Sequence, residues 1–242
     1  MTELISIVIP TYNEEACLAA TLTALRSRCP DAEIIVSDGG SVDRTVEIAA
    51  SYGVQIIAAK LGRGQQLAAG AQSAKGEILW FLHADTIPGK AAYGALRSAM
   101  EDDRVVCGNF KLTFDGSSGN ASTLTWIYPR LRWLGLAYGD SGIFARKKAY
   151  EKAGGFRDFP IFEDLDFIHR IKRTGIWKRL DAEISTSSRR FESKNFALMF
   201  AYWSYLQILY WCGVSPVKLG AMYKHVRGTL QSASSEGSAA SS

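Results

Sequence analysis

Ile5-Ser6-Ile7-Val8-Ile9-Pro10-Thr11-Tyr12-Asn13-Glu14-Glu15 decides how the chain is read: a short β-branched run meets a proline and turns polar and acidic. The same punctuation recurs at Glu33-Ile34-Ile35-Val36-Ser37, which breaks at Asp38-Gly39-Gly40-Ser41. It recurs again at Glu77-Ile78-Leu79-Trp80-Phe81-Leu82, which breaks at His83-Ala84-Asp85-Thr86. Runs of this length predict strands, and the helical patterns between them predict βα units and a parallel sheet. Parallel strands end on one edge, where open α/β sheets bind ligands. Acidic groups gathered there suit a metal, a ribose and a base edge better than they suit packing. The pattern points to an enzyme acting on a nucleotide-linked substrate.

Working outward, strands are expected at 4–9, 33–37, 54–58 and 77–82, with helices over 14–28, 43–51, 64–74 and 89–100. Pro10 is expected to end the first strand, because it removes a ladder donor. Ser41 is the expected cap of the second helix, with Asp43 in its first turn. Beyond residue 100 the rhythm changes: a longer strand over 105–114, a loop over 115–120, a strand-like segment over 138–146, and a helix over 163–174 opened by Glu163-Asp164. This divides the chain into a nucleotide-sugar-binding half (1–100), an acceptor half of the same domain (101–190), a C-terminal helical extension (191–230) and a small, polar, disordered tail (231–242).

The 242 residues, 47% hydrophobic and 21% charged, fit a soluble globular protein. A net charge of +4 is too mild for a dedicated nucleic-acid binder. Cys17, Cys29, Cys107 and Cys212 lie far apart without metal-type spacing, and are expected to be free buried thiols. The chain passes from Met1-Thr2-Glu3-Leu4 straight into a strand pattern with no signal-peptide signature, so a cytoplasmic location is expected. Residues 196–212 hold only Ser204 and Gln207 as clearly polar side chains. That stretch is short for a membrane span and reads as a helix buried on the domain, a dimer contact or a peripheral membrane contact.

Four segments in order, Pro10-Thr11-Tyr12-Asn13-Glu14-Glu15, Asp38 to Thr45, His83-Ala84-Asp85-Thr86 and Glu163-Asp164-Leu165-Asp166-Phe167, resemble family 2 glycosyltransferases over about residues 4–190. The resemblance implies a GT-A fold: α/β, with a mixed, largely parallel sheet and flanking helices. It also implies a UDP-sugar donor, a divalent cation (Mn2+ or Mg2+) and inversion at the anomeric carbon. Gly139-Asp140-Ser141-Gly142-Ile143-Phe144, Thr186 to Glu192, and Gly213-Val214-Ser215-Pro216 further resemble a small bacterial subgroup of arsenosugar-type or selenium-associated transferases that includes selenosugar synthases. That implies transfer of a hexose, N-acetylglucosamine or glucose, to a small anionic acceptor, with selenophosphate as the specific candidate.

Residue by residue, Pro10 frees the backbone that follows it to face a ligand, Tyr12 lies against the base, and Glu14 accepts from a ribose hydroxyl. An ordinary strand-to-helix turn capped by Asn13 would use the same residues. Asp38 accepts the N3–H of uracil, with Gly39 and Gly40 allowing positive φ and close approach; a plain Asp-Gly turn is the alternative. The resemblance gives Arg63 to the pyrophosphate, a role that suits a cation at a helix start, although a solvated basic loop would look the same. His83-Ala84-Asp85 stands where the family carries D-x-D, which puts Ala84 beside the donor and makes Asp85 the metal ligand. His83 replaces the first Asp, so it is a ligand, a phosphate partner, an orienting group or a structural histidine. On the acceptor side Asp164 is the candidate base with Glu163 in support, and Asp140 lies near the sugar. Arg189 and Arg190 are candidates for the diphosphate or an anionic acceptor. Two rivals stand beside this reading: transfer to a polyprenyl phosphate at a membrane, and a non-catalytic nucleotide-sugar-binding module.

Overall fold

The computed structural model of the chain describes residues 3–115, 125, 138–187 and 196–223, with 196–200 as backbone only. It forms two compact units, Met1–Asp158 with Glu163–Lys194, and Phe159–Phe162 with Asn195–Ser242.

The first unit is an eight-stranded sheet in the order β3-β2-β1-β4-β7-β6-β8-β5. Its strands are β1 (Ile5–Thr11), β2 (Glu33–Asp38), β3 (Gln55–Ala58), β4 (Ile78–Phe81), β5 (Thr86–Pro88), β6 (Val105–Phe114), β7 (Phe144–Arg146) and β8 (Ile176–Thr186). Strands β3, β2, β1 and β4 run parallel, joined by α1 (Leu18–Arg28), α2 (Thr45–Ser51) and α3 (Arg63–Ser73). β7 is antiparallel to both β4 and β6, and β6 is parallel to β8. Two reversals restore the direction, so β1, β2, β4, β6 and β8 all end on one edge. This is the mixed, mostly parallel GT-A arrangement.

Burial on both faces explains the continuous apolar runs: Ile5, Ile7, Val8 and Ile9 of β1 are all fully buried. Helix α3 sits directly on β1 at Gly70, where a Cβ would fall 2.3 Å from Val8 Cγ1. Helices α4 (Ala92–Met100), α5 (Lys147–Lys152) and α6 (Glu163–Ile171) complete this unit. Phe81 packs edge-on to Phe156 at 4.9 Å, and Phe156 lies 4.4 Å from Phe167 of α6, which anchors that helix under the sheet edge.

Several boundaries differ from the sequence expectation. Pro10 does not end β1, which continues to Thr11 with Pro10 opposite Ser37. Backbone groups two residues apart point the same way, and the Val8 carbonyl faces β4, accepting from Leu82 at 3.1 Å. The donor Pro10 lacks therefore falls on the side where pairing has already stopped, at Val8–Phe81. Helix α1 starts at Leu18 rather than 14. The strand-like 138–146 is a 3-10 turn, Gly139–Ser141, followed by only three strand residues, because Gly142 adopts φ 64. The three-residue β5 and the six-residue α5 have no counterpart in the sequence pattern.

In the second unit, α7 (Phe196–Trp211) is followed by a helix over 216–223. Phe162 lies 5.3 Å from Tyr210, ring centre to ring centre, and a Cβ at Gly220 would meet Pro160 Cγ at 2.4 Å. These two contacts hold the short 159–162 segment to the helices. Among the described residues, no helix is long and apolar enough to cross a membrane.

Candidate functional site

The site begins where β1 and β2 stop. Asp38, the last residue of β2, lies opposite Thr11, the last of β1, and is 6% exposed. Its Oδ1 accepts the Thr11 hydroxyl at 3.0 Å and the Ser41 hydroxyl at 2.5 Å. Its Oδ2 accepts the Gly40 amide at 2.9 Å and the Ser41 amide at 2.8 Å. Burial pushes this carboxyl up, but the Ser41 hydroxyl and amide, the Gly40 amide and the Thr11 hydroxyl outweigh it and hold Asp38 below the ordinary carboxylate range. Of the two glycines only Gly40 uses positive φ, at 90°, and this lets both amides turn to the carboxylate. Gly39 serves close approach: a Cβ there would lie 3.0 Å from Gln66 Nε2 and 3.1 Å from Leu61 Cδ1.

The loops after β1 and β2 are laced together. Asn13, at φ 56, donates its amide to Ser41 Oγ at 2.9 Å and accepts the Val42 amide at 2.9 Å. The Glu14 amide donates to Thr45 Oγ1 at 2.7 Å, and the Glu15 amide to Asp43 Oδ2 at 3.1 Å. Ser41 is thus spent on Asp38 and Asn13 and does not cap α2. Asp43 accepts the Thr45 amide at 2.9 Å and its hydroxyl at 2.5 Å instead. Gln66 of α3 closes the set, donating to the Thr11 carbonyl at 2.6 Å and the Ser37 carbonyl at 3.1 Å. Tyr12 stands 44% exposed on this framework, and the Glu14 carboxylate accepts the Cys17 thiol at 3.2 Å.

A second cluster forms one helical turn before Gln66. Arg63, the first residue of α3, pairs through Nε with Glu163, which opens α6 and is 2% exposed. Asp164 accepts the Gly139 amide at 2.6 Å and the Leu165 amide at 2.8 Å. The 3-10 turn is thereby pinned to the start of α6, and a Cβ on Gly139 would lie 3.1 Å from Asp164 Oδ2. Burial pulls the Arg63 guanidinium down, but the charges of Glu163, Asp164 and Asp140 overcome it and hold the proton more firmly than usual. Burial raises the Glu163 carboxyl, with Arg63 opposing and Asp164 reinforcing. The structure therefore brings Arg63, Asp140, Glu163 and Asp164 into one electrostatic group.

A third element follows β4. The Ala84 carbonyl accepts the Thr21 hydroxyl of α1 at 2.6 Å, and the His83 carbonyl accepts the Thr86 amide at 3.1 Å. Asp85 Oδ1 accepts the Thr186 hydroxyl, at the end of β8, at 3.2 Å. Among the described residues no three His, Cys, Asp or Glu side chains gather as a metal site. Asp85 is a single carboxylate, and oxygens of a bound diphosphate would supply further ligands to a divalent ion held there. Arg189 and Arg190 lie outside the described residues. Thr11, Gln66, Gly139 and Thr186 have no assigned part in the sequence reading. Thr11 and Gly139 stand inside quoted motifs, and nothing local marks Gln66.

Comparison with known proteins identifies the family and the fold. The family model described as Glycosyl transferase family 2 matches residues 6–156. Undecaprenyl-phosphate 4-deoxy-4-formamido-L-arabinose transferase of Aeromonas hydrophila is 39% identical over 95 residues, which are 34% of this chain and 29% of that protein. Probable glycosyltransferase YdaM of Bacillus subtilis is 27% identical over 200 residues, 71% of this chain and 47% of that protein. The chain thus spans less than half the length of these curated relatives. In fold it is similar to S. aureus TarS 1-349 in complex with UDP-GlcNAc, with a TM-score of 0.64 at 17% identity, covering 80% of this chain and 60% of that one. It is also similar to glucosyl-3-phosphoglycerate synthase from Mycobacterium tuberculosis in complex with Mn2+, UDP and glucosyl-3-phosphoglycerate, with a TM-score of 0.53 at 20% identity, covering 75% and 70%. The matched span covers more than half of the chain, and the chain belongs to glycosyl transferase family 2.

Proposed function

We propose that the chain transfers a hexose, N-acetylglucosamine or glucose, from a UDP-sugar to a phosphate-type acceptor with inversion. The observation that supports this reading is that Asp38 ends β2, Asp85 follows β4 and the Asp140 turn precedes the antiparallel β7, all on one sheet edge, with Asp164 bonded to that turn through the Gly139 amide and Glu163 beside it. Tyr12 and Asp38 take the uridine, with Pro10, Gly39 and Ala84 shaping the backbone around it and Glu14 taking a ribose hydroxyl. The four internal donors on Asp38 fill the capacity of a carboxylate. Reading uracil N3–H then requires the Ser41 or Thr11 hydroxyl to turn away, a small motion for a rotor. Arg189 and Arg190 are assigned to the diphosphate or the acceptor.

A divalent cation, Mn2+ or Mg2+, held by Asp85 together with the donor's phosphates, would compensate the charge of the departing diphosphate. The acceptor attacks the anomeric carbon from the face opposite UDP, and the bond from that carbon to the diphosphate oxygen breaks, leaving the electron pair on UDP. Asp164 takes the proton when the acceptor is a hydroxyl. When the acceptor is already an anion, such as selenophosphate, no proton moves and Asp164 positions groups.

A second acceptor, polyprenyl phosphate, is favoured by the undecaprenyl-phosphate transferase among the relatives. UDP release from several UDP-sugars, with selenophosphate, thiophosphate or a lipid phosphate and with or without chelator, tests both acceptors. Release that depends on Asp164 and is stimulated by one acceptor supports the reading. Release from no donor overturns it.

A further inference from the structure

The second unit carries a surface that water alone does not explain. Helix α7 has sixteen residues and no charge in any of them. Its inward side is set by Leu206 and Gln207, both buried. Its outward stripe is Ser204, Tyr205, Ile208 and Trp211, followed by Cys212 just past its end, with Ile208 53% and Trp211 57% exposed. Val217 and Met222 of the following helix are exposed as well. A helix that faces water on one side normally carries polar and charged residues there, and this one presents aromatic and aliphatic groups with Ser204 beside them. A contiguous exposed apolar patch marks an interaction site.

The net charge of the segment bears on the partner. The long segment of the second unit, Asn195–Ser242, contains Lys218, Lys224 and Arg227 against one acidic residue, Glu236. Lys218, in the following helix, is exposed. A face rich in tyrosine, tryptophan and aliphatic groups, on a segment of net positive charge and in a helix not long enough to cross a membrane, matches an in-plane helix on an anionic bilayer.

We infer that the outward face of α7 and the helix after it docks on the surface of an anionic phospholipid bilayer, with Ile208 and Trp211 in the interface and Lys218 on the headgroups. The inference goes beyond the proposed transferase reaction and does not depend on the acceptor.

The test is co-sedimentation of the full chain with vesicles of phosphatidylcholine alone or with a third phosphatidylglycerol, accompanied by labelling of Cys212. Wild type is expected to bind the anionic vesicles at least tenfold more tightly than the neutral ones, to be released by 0.5 M salt as charge attraction is screened, and to lose Cys212 reactivity when bound. Ile208→Glu should abolish binding, and Lys218→Glu should weaken it about tenfold, since each surface cation contributes about fivefold. Unchanged circular dichroism and UDP binding in both variants separate loss of docking from loss of fold or of the donor site. Three results overturn the inference: no vesicle binding by wild type, equal binding to neutral vesicles with no effect of Lys218→Glu, or a dimer in solution that Ile208→Glu dissolves while vesicles leave Cys212 reactive.

Discussion

Arg63 at the start of α3 and Glu163 at the start of α6, one hundred positions apart in sequence, form an ion pair whose carboxylate is 2% exposed. The cation that sequence reading gives to the diphosphate is therefore engaged with the acidic pair on the acceptor side, and it ties the helix bearing Gln66 to the helix bearing Asp164. Arg63→Gln strands a buried carboxylate. The cost is expected at about 2–4 kcal/mol at pH 7, the low end reflecting the partial exposure of the arginine. Glu163→Gln keeps an acceptor in place and should cost less, about 1–2 kcal/mol. Urea unfolding of both single variants and the double variant measures the coupling.

The same pair sets a pH dependence. Glu163 has a raised pKa, so the folded state binds more protons than the unfolded state between the two values, and stability falls as pH rises through that window. Without Arg63 the carboxylate loses its main opposing charge and its pKa rises further. The deficit of Arg63→Gln relative to wild type should therefore shrink from pH 7 to pH 5. A deficit that grows on acidification would contradict the burial of Glu163.

Asp38 behaves in the opposite sense. Its folded pKa is lowered, so its contribution is complete above the unfolded value near 4 and is lost as pH falls through the folded value. Asp38→Ala leaves two amides and two hydroxyls without their acceptor, at a cost of about 3 kcal/mol at pH 7. Thermal melts at pH 6 and pH 3 should show wild type losing more stability across that range than the variant.

Two helix glycines give opposite signs for one substitution. A Cβ added at Gly94 in α4 would have nothing within 4 Å, so Gly94→Ala should stabilise by about 0.5–1 kcal/mol through helix propensity. At Gly70 the same propensity gain meets Val8 Cγ1 at 2.3 Å, and overpacking of about 1–3 kcal/mol should prevail. Melting temperatures of the two variants decide both.

Thiol reactivity should sort by burial. Burial pushes Cys29 and Cys107 up to about 12, whereas Cys212 is exposed. At pH 8 one thiol, Cys212, should react fast in native protein, with Cys29 and Cys107 released only by denaturant. Half-buried Cys17, beside the Glu14 carboxylate, should be intermediate.

What the sequence reveals and what it hides follow from the range of the interactions. β1, β2 and β4 are legible because strands buried on both faces must be continuously apolar, and β6 because it is long. β5 and α5 are too short to carry a period. β8 is half polar along its length, with Lys178, Arg179 and Glu183 among its residues, so its pattern is weak. The site is legible where one residue type has few uses, as at Asp38-Gly39-Gly40. It is hidden where a partner is distant: Ser41 looks like a cap until Asn13, twenty-eight positions away, claims it, and the pairing of Arg63 with Glu163, one hundred positions away, leaves no local mark.

A single nucleotide bound at the strand edge is the centre of the proposed reaction. Isothermal titration of UDP into the intact chain, with and without Mn2+, and into Asp38→Ala variant protein whose fold is verified by circular dichroism, tests it most directly. Saturable one-to-one binding to wild type, displaced by UDP-sugar and weakened at least tenfold by Asp38→Ala, is the expected result. A wild-type chain that gives no binding heat at several temperatures under either metal condition would contradict it.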